Sequence, residues 1–374
     1  MVELMISITI GLMITAGLAT LFSNASLTQS EMRRTAQQIE NGRYAMDVLI
    51  QDLQLAGFFG QNRNTVAPAS IPDPCSFTTA DLTAALGVPV QGYNSGSLTA
   101  QASPPGTCST WLPSGNLKAG SDILVVRRAE TEFVPIGTVT VAGTKYVQTS
   151  PVAIEVQDGG GTTSCTSKAD GTAATITRRC KFPTTIDECA TPCGAGTSPA
   201  GFVRKLHVHV YFVSPCNVPS SATTCDSSSD NGRPIPTLKR LELIAAGGAT
   251  TFQIVSIAEG VEVMQVAYGV DDVPAAVNPD TGRMGDGVPD RYVLTPSLAE
   301  FSNAATVRVD LLVRNPEPSA GFTDAKTYSL SIDPAAPTNP GLVITPADVD
   351  TSYRRHAYAA EVRLVNVAGR KEIP

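Results

Sequence analysis

From Leu4 to Phe22 the chain runs nineteen residues without a charge, LMISITIGLMITAGLATLF. That matches the roughly 20 apolar residues that carry a helix across a bilayer core. Leu4, Ile8, Leu12, Leu18 and Phe22 supply much of its bulk. Ser7, Thr9, Thr15 and Thr20 fit such a helix, because their hydroxyls can bond back to its own carbonyls. The opening Met-Val-Glu holds an acid and no base, and no small-x-small site closes the run. The segment therefore reads as a retained helix over residues 2–22 rather than a cleaved secretory signal. After Ser23 the pattern changes. Ile39, Met46, Leu49, Leu53 and Ala56 return at three- and four-residue steps with one longer gap, the signature of one apolar helical face. Glu31, Arg33, Arg34, Glu40, Arg43, Asp47 and Asp52 take the remaining positions, and Gly57 supplies a stop. The pattern predicts one helix over residues 1–56, about 80 Å long at 1.5 Å per residue. Its first half is apolar all round. Its second half, 23–56, carries a stripe that belongs on a globular domain.

Residues 57–374 form that domain. Gly57 to Gly120 is rich in Pro, Ser, Gly and Asn and reads as a long loop region, with one helical turn at Asp81–Leu86. Strand patterns then take over: Ile123–Arg128, Val139–Gln148, Val152–Val156, Phe202–Val213, Leu238–Ile244, Phe252–Ile257, Val261–Tyr268, Ala305–Val313 and Tyr358–Val367. In Phe202–Val213, Leu206, Val208, Val210 and Phe212 share one face, and His207, His209 and Tyr211 share the other. Short strands separated by turns, without alternating helices, predict antiparallel sheet. The fold class expected is α+β: one long N-terminal helix packed on an antiparallel β domain.

Composition narrows the function. The chain has 374 residues and a formal net charge of −7, with 27 Lys+Arg against 34 Asp+Glu. No basic cluster longer than a pair occurs, so a nucleic-acid partner is not expected. Eight cysteines follow the apolar run: Cys75, Cys108, Cys165, Cys180, Cys189, Cys193, Cys216 and Cys225. An even count in polar surroundings points to disulfides in an oxidising compartment. Pairing of neighbours (75–108, 165–180, 189–193 and 216–225) is the arrangement expected. Zinc is disfavoured, since no CxxC pair is present. Gly159–Pro199 and Ser214–Gly232 read as disulfide-pinned excursions.

No nucleophile elbow, P-loop, HExxH or dinucleotide fingerprint is present, and the chain is expected not to be an enzyme. His207 and His209 share a strand face but lack a third ligand, so a half-exposed sheet face is the simpler reading. His356 lies in the basic turn Tyr353–His356 and reads as solvated or carboxylate-paired. The one candidate cofactor is calcium. Asp271, Asp272, Asn278, Asp280, Asp286 and Asp290 offer hard oxygens within a glycine-rich stretch, although the spacing is not that of an EF-hand. Glu3 stands out as a carboxylate at the edge of an apolar run, a costly place without a cation.

The segment Val2-Glu3-Leu4-Met5-Ile6 and the apolar helix after it resemble the start of type IV pilins and type II secretion pseudopilins. Three further stretches look like the PilW family of minor pilins. They are Glu40–Met46 with Asp52–Phe58, Gly260–Glu262 with Gln265–Asp271, and Asp290–Val293. The resemblance implies a type IV pilin-like fold and a structural minor pilin that helps initiate or cap a type IV pilus at its tip. Glu3 would neutralise the N-terminal amine of a neighbouring subunit. The implied partners are other minor pilins, the major pilin, a PilY-type tip adhesin and the inner-membrane assembly platform. The implied location is the inner membrane, with the C-terminal domain periplasmic, and then the extracellular pilus. The family's basic leader, the glycine before its cleavage site and its mature phenylalanine are not in this sequence. An N-methylated Phe-Thr-Leu or Phe-Thr-Met ahead of Val2 would establish the processing that the resemblance implies, and an unmodified Met1 would make the helix a plain anchor. Alternatives are a J-type minor pseudopilin of a type II secretion system, or a membrane-anchored adhesin or binding protein.

Overall fold

The structure is a computed structural model of the chain, and it describes residues 2–60, 68–135, 141–149, 154–159, 202–221, 224–272, 285–331 and 341–369. Helix α1 (Val2–Leu55) is the unbroken helix that the sequence pattern predicts. It closes at Gly57, whose φ of +74° is the left-handed conformation that favours glycine after a helix. The buried stripe, however, is Gln38, Gly42, Ala45, Met46, Leu49, Asp52 and Leu53. Ile39, assigned to the core by its spacing, is 43% exposed. It lies about 100° round the helix from Gln38. Asp52, assigned to solvent, is buried instead.

The elements that follow are α2 (Thr79–Ala85), β1 (Val90–Tyr93), β2 (Ile123–Ala129), β3 (Val134–Pro135), β4 (Lys145–Thr149), β5 (Ile154–Asp158) and β6 (Phe202–Ser214). Two 3-10 turns, Gly106–Thr110 and Ser114–Asn116, lie between β1 and β2. Then come α3 (Ser229–Gly232), β7 (Thr237–Ala246), β8 (Ala249–Glu259), β9 (Val261–Val270), β10 (Arg291–Val293), α4 (Leu298–Ser302), β11 (Ala304–Arg314), β12 (Tyr328–Leu330), β13 (Leu342–Ile344), β14 (Arg355–Arg363) and α5 (Val365–Ala368).

All described strand pairs are antiparallel, as expected. The long strand β6 organises the first sheet. It pairs with β2 over Leu206–Tyr211, with β7 over His209–Ser214 and with β4 over Val203–Lys205. The β7–β8 hairpin extends this sheet, and β1 lies beyond β2. The chain changes sheet between β8 and β9. The second sheet runs β10-β9-β11-β14, and β12 pairs with β13 beside it. Helix α1 rests on both sheets. Ala45, Leu49 and Leu53 share one core with Leu124, Val126 and Val213 of the first sheet and with Val307, Val309 and Leu311 of the second. A second core lies on the other face of the first sheet, where Val208, Val210 and Phe212 meet Phe59, Leu82 and Leu112. A third joins Val263 and Leu312 to β12 and β13.

Two strand expectations shorten. Val141–Thr144 forms a turn region, so β4 begins at Lys145, and residues 136–140 lie outside the described residues. The last strand ends at Arg363, and the chain turns into α5 there because Val367 and Ala368 bury against the core beneath α1.

Candidate functional site

Every residue from Val2 to Gln29 is exposed, a bare projection of about 42 Å. Leu4, Ile8, Leu12, Leu18 and Phe22 are between 53% and 79% exposed. This helix alone among the described residues is long and apolar enough to cross a membrane. Its hydroxyls return to its own backbone: Ser7 donates to the Glu3 carbonyl, Thr9 to Met5 and Ile6, and Thr15 to Gly11 and Leu12. Over residues 2–22 that leaves little polar surface apart from Glu3, which stands exposed in the first turn, and exposed Ser23, Asn24, Ser26, Thr28 and Gln29 follow toward the head.

The second half of α1 is seated at three levels. At the rim, Arg34 pairs with Glu31 and with Glu317, and the Ser319 hydroxyl donates to Glu31 at 2.7 Å. In the middle, Gln38 donates to the carbonyls of Val313 (2.7 Å) and Arg354 (3.0 Å), and Asn41 donates to that of Glu259 (3.1 Å). Gly42 lies against the Tyr358 ring: a Cβ there would come within 2.4 Å of a ring carbon. Only glycine lets helix and β14 approach this closely. At the base sits Asp52. Its Oδ1 accepts from Arg128 Nε at 2.5 Å, and its Oδ2 accepts from His209 Nδ1 at 2.6 Å and from the Tyr211 hydroxyl at 2.9 Å. Burial opposes ionisation of this carboxyl, but the His209 hydrogen bond and charge and the Arg128 charge outweigh it. Together they hold the carboxyl well below the ordinary aspartate range. Arg240 donates to the Tyr211 hydroxyl and pairs with Glu242. His207 pairs with Glu130 at 2.7 Å.

The half-exposed face expected for His207, His209 and Tyr211 is thus the floor of the helix seat, and the two histidines have carboxylate partners. His356 is exposed on β14 and meets Tyr358 edge-on. Its neighbour Arg355, read as part of a basic turn, is buried against Glu262 and Asp324.

Disulfides join Cys75 to Cys108 and Cys216 to Cys225. The first ties the loop bearing α2 to the 3-10 turns. The second closes the excursion after β6. Cys165, Cys180, Cys189 and Cys193 lie outside the described residues, as do Asn278 and Asp280 of the calcium stretch. The other four acids serve the loop itself. Asp271 accepts from the Gly287 N–H, Asp272 pairs with Arg291, Asp286 accepts from the Val288 N–H, and Asp290 accepts from the Asp272 N–H. Among the described residues no three of them converge on one point.

A long helix, bare over its first half and locked into a β-rich, disulfide-bonded head over its second, defines an α+β protein with one projecting helix long and apolar enough to cross a membrane. Residues 224–366 match the family model "Type IV Pilus-assembly protein W", PilW. The PilW resemblance of the sequence is therefore borne out over β7 to β14, where two of its quoted stretches lie. A solved structure of a type IV-like pilin from Thermus thermophilus is similar over 43% of this chain and 78% of its own, at 16% identity and a TM-score of 0.18. No curated protein matches the chain. The family match points to a structural role in type IV pilus assembly.

Proposed function

We propose that this chain is a non-enzymatic minor pilin that helps initiate or cap a type IV pilus at its tip. The observation that carries the reading is the bare apolar projection, continuous with a helix locked into the head. Before assembly, residues 2–22 anchor the subunit in the inner membrane with the head in the periplasm. In the filament, helix-on-helix contact replaces lipid around the same surface. Glu3 then meets the N-terminal amine of a neighbouring subunit, where the attraction in an apolar bundle must offset desolvation of both charges. The head contacts other minor pilins and a PilY-type adhesin, and the helix contacts the major pilin and the assembly platform.

The test is to shear filaments from the native cells and to follow wild type and Glu3→Val. The wild type is expected in the sheared fraction with an N-methylated residue at its start. Glu3→Val is expected to stay in the membrane with its head folded. Normal incorporation of Glu3→Val, or an unmodified wild type confined to membranes, would sink the proposal.

A further inference from the structure

The first sheet ends at β8, which pairs with β7 along its whole length and with no other described strand. Proteins usually protect such an edge with charges, prolines or bulges that turn it away. From Ala249 to Ala258 this strand has no Lys, Arg, Asp, Glu or Pro, and Thr, Ile and Val fill five of its positions. The other long edge, β14, carries Arg355, Glu361 and Arg363; β8 carries no charge before Glu259, and its register breaks only near that end, where Leu238 and Lys239 pair with Ala258 and Ser256.

The surface beside the edge is apolar. Cross-strand pairing places Ile254 opposite Leu241 and Phe252 opposite Leu243, on the face turned away from α1. The Phe252 ring meets Trp111 at 5.6 Å and Phe77 at 6.3 Å, both edge-on. Phe77 and Ile254 are 39% and 38% exposed. Apolar surface thus reaches the edge at alternate residues, the spacing at which an added strand presents its side chains. The ends of β8 are held: Thr250 donates to the Gly143 carbonyl, and Glu259 accepts from Asn217 and, at its carbonyl, from Asn41. Between them Thr251–Val255 pairs regularly with β7, ahead of Ser256, whose hydroxyl donates to Asn217, and of the register break at Ile257.

We propose that this stretch of β8 accepts an extended, uncharged strand from a different protein chain. The strand extends the sheet, and its alternate apolar side chains rest on Phe77, Trp111 and Ile254. Main-chain hydrogen bonds supply affinity and the aromatic patch supplies preference for the side chains. A charged strand is disfavoured, because β8 has no countercharge to offer it. An antiparallel pairing of two copies through β8 needs a two-fold axis perpendicular to the sheet. Helix α1 lies on a face of that sheet, so the two bare projections would point in opposite directions, which one bilayer does not accommodate. That exclusion, unlike the pairing itself, rests on the anchoring proposed above.

The test uses the full chain in detergent and a ten-residue peptide alternating Val and Thr, with a lysine outside each end for solubility. Hydrogen–deuterium exchange reads the β8 amides. The emission of Trp111, the one tryptophan of the chain, reads the patch. The peptide is expected to slow alternate β8 amides at least tenfold and to shift the Trp111 emission. A peptide N-methylated at successive central residues, and the variant Gln253→Lys, are expected to lose both effects. Thr251→Lys replaces Gln253→Lys if the latter melts early. No protection of β8, or equal protection by the N-methylated peptide, overturns the proposal. So does a protein that light scattering finds dimeric with β8 already protected, since the edge then belongs to a second copy. None of these readouts depends on pilus assembly, so they fail or succeed independently of the proposed function.

Discussion

Asp52 couples the helix to the head, with Arg128, His209 and Tyr211 converging on one buried carboxylate. Removing one member of a buried ion pair strands its partner and typically costs about 3–5 kcal/mol. Asp52→Ala is expected to lose that much in denaturant unfolding. Tyr211→Phe, which removes one hydrogen bond, should cost about 1 kcal/mol. The pH dependence follows from the depressed carboxyl. Its stabilisation is complete above the unfolded value of about 3.9 and is lost as pH falls below that toward the folded value. The difference in stability between wild type and Asp52→Asn should therefore shrink below about pH 4, and a difference constant down to pH 2 would refute the assignment. Asp122 works in the opposite sense. Burial pushes its carboxyl up to about 6, against the N–H groups of Ser95 and Val266 that it accepts. Between about pH 4 and 6 the folded state keeps a proton that the unfolded chain has released, so folding is favoured as pH falls through that window. Wild type should gain on Asp122→Asn over that range, by up to about 3 kcal/mol. None of this was legible in the sequence. A lone Asp among charged helix residues looks solvated, and its partners lie 76 to 159 positions away.

At the level of elements, α1 was the most legible part, because a proline-free stretch with a run of apolar residues and then a stripe leaves few alternatives. The exact face was not. Spacing selected Ile39, whereas the helix seats through Gln38 and Gly42, because close contact with Tyr358 rewards a missing side chain over a large one. Gly42→Val is expected to destabilise the protein by about 1–3 kcal/mol through overpacking. Tyr358→Ala in the same chain should recover part of the loss, and a strictly additive double mutant would contradict the contact. The alternating strands β6 and β11 were legible too. The three-residue strands β10, β12 and β13 were not, since so few residues show no period. The disulfides can be ranked by loop length. Opening Cys75–Cys108, 33 residues apart, should cost about 4 kcal/mol, and opening Cys216–Cys225, nine apart, about 3 kcal/mol. Paired Cys→Ala variants followed by thermal unfolding will check the order.

For the molecule as a whole, the sheets fix where the head sits and the helix fixes which way it faces. The seat begins at Glu31 and continues to Ala56, where the Asn366 side chain donates to the carbonyls of Gln54 and Ala56. The 54-residue helix is thus one body with the head, with no proline to bend it. In mechanical terms it is a lever about 80 Å long. A tilt of one degree at its foot sweeps the far end through about 1.4 Å over that length. In the filament proposed above, a few degrees of misplacement near Glu3 is therefore enough to carry the head out of reach of a neighbour's hydrogen bonds. A small error in how the first turns are received becomes a large error in where the outer surface arrives.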